Sequence, residues 1–113
     1  MIIMKLQPEH FDKIRSGEKT FEIRLNDEKR QLINAGDIVI FKKEPDLYEG
    51  VVCKILEKRF FKTFAHMAQV MSLKDLGFAG KNAEQVERKL HTYYSKKDEE
   101  LYGVVVFKLQ VIN

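Results

Sequence analysis

The chain has 113 residues, 44% of them apolar and 33% charged, with a formal net charge of +3. That length predicts one complete domain over residues 1 to 113 with a single core, and the composition excludes wholesale disorder. No run approaches the roughly 20 apolar residues of a membrane span, and Met1-Ile2-Ile3-Met4 stops at Lys5 without a basic leader or cleavage site, so a cytoplasmic protein with no membrane partner is expected.

Met1 to Leu6 predicts a strand. Pro8 suits a first helical turn, Phe11 and Ile14 fall on one face, and Gly17 stands where a left-handed terminator ends the helix. The next segment alternates: Phe21, Ile23 and Leu25 share one parity and enter a core, while Thr20, Glu22 and Arg24 share the other and face outward. Lys19, at the strand entrance, can lay its stem on apolar surface and bring its ammonium to the rim. A mixed-charge cluster of Lys19, Glu22 and Arg24 is the expected result.

Asn26 to Asn34 predicts a loop with a helical turn, anchored by Leu32 and Ile33, and Gly36-Asp37 a turn. Ile38 to Phe41 is a buried strand, closed by a hairpin at Glu44-Pro45-Asp46. Tyr48 to Arg59 is apolar on both parities, which suits a bent or bulged strand. Phe60, Phe61 and Phe64 are expected in the core. Thr63 caps a helix reaching Met71; Ser72 and Asn82 each stand at the head of a further cap pattern, and behind Asn82 one apolar face carries Val86, Leu90 and Tyr93. Gly77 to Gly80 reads as a flexible connection, Lys96 to Glu100 as a solvated charged segment, and Tyr102 to Val111 as the last strand. Four or five strands with helices between them, in no regular alternation, predict an α+β fold.

Cys53 is the only cysteine and is expected to pack as a small inert hydrophobe. His10, His66 and His91 show no metal-ligand spacing and are expected at surfaces or helix sides, so no metal and no cofactor are predicted. Two readings of the charged cluster remain. As exposed ion pairs it contributes about 0 to 1 kcal/mol of stability. In a cleft, Arg24 and Lys19 could hold a phosphate or carbonyl oxygen while Glu22 accepts a proton.

The run Gly17-Glu18-Lys19-Thr20-Phe21-Glu22-Ile23-Arg24, with the charged Asp27 to Arg30 segment and Gly36-Asp37 before an apolar strand, resembles the signature of the ASCH domain, a relative of PUA domains. The resemblance implies a small PUA-like β-barrel flanked by helices. It also implies a partner, RNA or a nucleoside-like ligand, held in a cleft beside the barrel. Lys19 and Glu22 then become candidate catalytic residues, and Arg24, Lys29, Arg30, Tyr94 and Tyr102 candidate ligand contacts, with Tyr93 as a further stacking candidate. An alternative is a metal-independent hydrolase acting on RNA or on N4-acetylcytidine. A bacterial branch of the family deacylates N4-acetylcytidine with a lysine and a threonine of this strand and a remote glutamate. Lys19 matches the lysine, Glu22 stands at the threonine position, and Glu84 and Glu87 are candidates for the glutamate. A third reading, a protein-interaction module, would follow from an exposed apolar Phe60 to Phe64 region.

Overall fold

The structure is a computed structural model describing residues 2–113; Met1, included in the predicted first strand, lies outside the described residues. The chain runs β1 (Ile2–Leu6), α1 (Pro8–Ser16), β2 (Phe21–Leu25), α2 (Glu28–Gln31), β3 (Ile38–Lys43), β4 (Gly50–Phe61), α3 (Phe64–Val70), α4 (Ala83–Leu90), α5 (Lys96–Tyr102) and β5 (Val104–Val111). The strands form one sheet in the order β1-β3-β4-β5-β2. The β1–β3 pair is parallel and the other neighbours are antiparallel. The expected α+β class and barrel-like form are both present, but the barrel is open. β1 and β2 are the two edges, and the sheet curls far enough that a side chain spans them: Arg24 Nη2 donates to the Lys5 carbonyl at 2.8 Å.

Each face of the sheet has its own core. Met4, Leu6, Val39, Phe41, Val51, Cys53, Ile55, Val105, Phe107 and Leu109 fill the concave side, closed by Phe11 and Ile14 of α1 and by Ile33. Phe21, Ile23, Leu25, Val104 and Val106 pack on the other side against Phe64, Met67, Ala68, Val86 and Leu90 of α3 and α4. The alternation of β5 between the two clusters follows from side chains pointing to opposite faces in turn. Only the β2–β5 half is covered on both faces; on β1, β3 and β4 the face opposite the concave core is open, with Ile3, Ile38 and Leu56 exposed.

Local signals account for the element ends. Gly17 adopts φ 85° and its N–H bonds the Ile14 carbonyl, ending α1. Thr63 and Asn82 cap α3 and α4, the latter in a reciprocal capping box with Gln85. The register shift between Ile55 and Glu57 is the bend expected in the long strand.

Four expectations are corrected. Ser72 to Gly77 is a run of turns, not a helix. Lys96 to Glu100 is helical, and its Glu99 is buried, accepting from Phe64 N–H at 2.6 Å and pairing with His91 Nε2 at 2.8 Å. Phe60 is 60% exposed, and Leu32 is exposed while Ile33 alone anchors its loop. Among the described residues no helix is long and apolar enough to cross a membrane.

Candidate functional site

Glu22 and Arg24 face the concave side of the sheet. Their register partners on β5, Phe107 and Val105, both belong to the concave core, and directly paired residues share a face. The parity reading of β2 therefore holds, but its outward face is not solvent: Glu22 is 4% exposed and Lys19 3%. Charges occupy positions that core side chains take elsewhere in the sheet, and the expected rim ammonium and exposed ion pairs are both overturned.

These charges neutralise one another. Lys19 Nζ lies 3.0 Å from Glu22 Oε1, and Arg24 Nε donates to Glu22 Oε2 at 2.7 Å. Burial alone would raise the Glu22 pKa; the Lys19 and Arg24 cations more than offset it and hold the carboxyl at about 2. Arg24 is shifted up, because the pull of Glu22 outweighs its own burial. One carboxylate thus serves two cations, leaving the triad cationic, and the two hydrogen bonds of Arg24 leave Nη1 unused.

The backbone around Lys19 explains its position. Lys19 N–H donates to the Lys13 carbonyl, and Thr20 and Phe21 N–H both donate to the Asp75 carbonyl, docking the turn before α4 onto the entrance of β2. In that turn Gly77 has φ +91°, and a Cβ there would lie 2.7 Å from Lys19 Cδ. The supposed flexible connection is a fitted wall, and glycine is required both by its left-handed backbone and by the lysine stem.

His10 completes the cluster. Its Nδ1 lies 3.1 Å from Lys19 Nζ, and burial, reinforced by the Lys19 cation, lowers its pKa to about 4. The imidazole is neutral near pH 7, so Nδ1 accepts from the ammonium and Nε2 carries the proton. Of the two places expected for it, a surface or a helix side, it takes the helix side: it lies on α1 four residues before Ile14, turned toward the buried face.

A recess of about 150 Å³ opens over this floor, lined by Lys19, Glu22, Arg24, His10, Phe78, Tyr93 and Tyr94 together with Lys5, Leu6, Gln7, Ile23, Glu44 and Leu90. α4 stops at Leu90, so Tyr93 leaves the helix face on which it was expected, is 38% exposed, and donates to Gln7 Oε1 at 3.2 Å. Tyr94 stacks on Phe64 with ring centroids 5.6 Å apart, and burial raises its hydroxyl pKa. Lys29 and Arg30 lie in an adjoining recess. Tyr102 packs against the α3/α4 core and is not part of either lining. Neither Glu84 nor Glu87 lines the recess; Glu44, after β3, does. Cys53 is buried as expected, its thiol raised to about 11 by burial and by the Glu22 charge.

Sequence reasoning thus identified the triad and Tyr94 but missed His10, Phe78 and Glu44. His10 carried only its spacing to Ile14 as a signal, and Phe78 and Glu44 carried none, because each reaches the recess from a different part of the chain.

The ASCH domain family model matches residues 4–113. The fold is similar to that of the hypothetical protein PH0355, with a TM-score of 0.86, 31% identity and 97% of each chain covered. It is similar also to protein PF0455 from Pyrococcus furiosus, at a TM-score of 0.77 and 25% identity, over 99% of this chain and 97% of that one. An ASCH protein from Zymomonas mobilis aligns at a TM-score of 0.67 and 15% identity, over 98% of this chain and 71% of its own. No curated protein matches.

Proposed function

The chain belongs to the ASCH domain family, which is broadly associated with RNA binding, and from that premise we propose that the recess between β1 and β2 holds one base of an RNA or a nucleoside-like ligand. The observation that carries this reading is a cationic floor under aromatic walls. Lys19 and Arg24 keep donors in a setting where burial strengthens each hydrogen bond, and Tyr93, Tyr94 and Phe78 offer flat surfaces to a ring. The volume of about 150 Å³ matches an engineered cavity that takes up one benzene ring. It suits a single base, with the sugar and phosphate outside.

Hydrolysis of RNA or of N4-acetylcytidine is the competing reading. It needs a group that exchanges protons near neutral pH, and Glu22 at about 2 and His10 at about 4 are poorly matched to that task. Glu22 is better suited to holding Lys19 and Arg24 in place than to acting as a base, so ligand binding is the preferred function. Calorimetric titration with a mixed-sequence single-stranded RNA hexamer and with the four nucleosides, at several salt concentrations, tests it. Wild-type protein that binds neither at low salt refutes the proposal. Product formed from labelled RNA or N4-acetylcytidine by wild type, and lost in Lys19→Ala, would put hydrolysis in its place.

A further inference from the structure

Beyond Arg24 the open seam widens into a second recess of about 640 Å³, lined by Ile2, Ile3, Met4 and Lys5 of β1, by Arg24, by Lys29, Arg30, Leu32 and Ile33 around α2, and by Glu44. Lys5, Arg24 and Glu44 belong to both recesses, so the two adjoin along the seam. We propose that this second recess receives the phosphodiester adjoining the bound base, which makes the ligand of the seam a single-stranded nucleic acid segment rather than a free nucleoside. The inference rests on reading the first recess as a base site.

Charge is the first argument. Four cations, Lys5, Arg24, Lys29 and Arg30, face one carboxylate, Glu44. Among the described residues neither Lys5 nor Lys29 forms a salt bridge, and the only ion pair of Arg30 is a 3.4 Å contact from Nη1 to Asp27 Oδ2. Arg24 is already paired with Glu22 and keeps only its Nη1 edge, whereas Lys5, Lys29 and Arg30 are not consumed by the fold. They are also held together by it: the Asp27 side chain caps α2 by accepting from Arg30 N–H at 3.1 Å, which fixes Lys29 and Arg30 on one turn facing β1.

Arg24 is the link between the recesses. Its Nε is committed to Glu22 and one Nη2 bond to Lys5, which leaves the Nη1 edge at the junction, where the phosphate next to a bound base would lie. The walls supply the rest. Ile3 is 57% exposed and Leu32 76%, and neither exposure has a counterpart in the core packing. An aliphatic wall without aromatic side chains gives a neighbouring base somewhere to rest but no strong stacking, so this subsite should tolerate any base. The edge of β1, unpaired on its seam side, adds backbone polar groups along the same path. A nucleic acid strand is favoured over an acidic peptide because a base-sized aromatic recess sits at one end of the groove.

The test compares a mixed-sequence single-stranded RNA hexamer, the four nucleosides and a hexaglutamate peptide, on wild type, on Lys29→Ala/Arg30→Ala and on Lys29→Glu, with thermal unfolding by circular dichroism as the folding control. Lys29 is exposed, so Lys29→Glu keeps the test available if the double variant fails to fold. Wild type should bind the hexamer at least tenfold more tightly than any nucleoside. In the variants the ratio of hexamer to nucleoside affinity should fall at least tenfold, with the salt slope flattened by about 0.7 per phosphate contact removed. A hexamer bound no more tightly than nucleosides, or a ratio untouched by both variants, overturns the subsite while leaving the base recess standing. Hexaglutamate bound as tightly as the hexamer, with the same loss in the variants, overturns it in favour of an anionic peptide. Wild type that binds none of the probes removes the base reading and the subsite together.

Discussion

Glu22→Gln isolates the energetics of the buried triad. The substitution keeps the shape of the side chain and removes the one negative charge that Lys19 and Arg24 share at 3.0 and 2.7 Å. The carboxyl pKa falls from an ordinary 4.5 to about 2, which at about 1.4 kcal/mol per pH unit corresponds to about 3 kcal/mol. Removing one partner of a buried pair costs about 3 to 5 kcal/mol, so the two routes to the magnitude agree. The sign follows from linkage: a folded-state pKa below the unfolded one gives stability that is complete above about pH 4.5 and is lost as pH falls through about 2. Urea denaturation of both proteins at pH 7, 4.5, 3 and 2 should therefore show the variant weaker by about 3 kcal/mol at pH 7, with the gap closing toward pH 2 as wild-type Glu22 itself becomes protonated. A gap below 1 kcal/mol at pH 7, typical of exposed pairs, or one that stays constant down to pH 2, would refute the reasoning.

Other perturbations test the parts around the triad. In a nuclear magnetic resonance titration the His10 ring should change state near pH 4, carrying its proton on Nε2 at pH 7; its stabilising neutrality is present above pH 6.5 and lost as pH falls through about 4, and a midpoint near 6.5 would contradict its burial beside the Lys19 cation. Gly77→Ala should cost more than about 1 kcal/mol, from its positive φ and the 2.7 Å approach to Lys19, and should weaken nucleoside binding; unchanged binding would show that the lysine position is not set by this wall. Arg24→Lys should speed amide hydrogen exchange in β1 and β2, because an ammonium does not reproduce the guanidinium fork that joins Glu22 to the Lys5 carbonyl. Cys53 should resist a thiol reagent in the native protein and react on denaturation, its thiol being buried and raised to about 11.

Much of this protein was written locally. The αL glycine after α1, the caps at Thr63 and Asn82, the bend in β4 and the alternation of β2 depend on interactions within a few residues, which a linear pattern can encode. Alternation also placed Glu22 and Arg24 on one face and Phe21, Ile23 and Leu25 on the other. What it could not say is what covers each face, since covering layers come from distant segments: α3 and α4 lie over one side of β2, and the curled sheet with α1 lies over the other. Only that tertiary arrangement turned a surface charge cluster into a buried triad. It alone brought His10, Glu44, Phe78 and Tyr93 to the same recess, because the seam exists only where a curled sheet brings its first two strands face to face without pairing them.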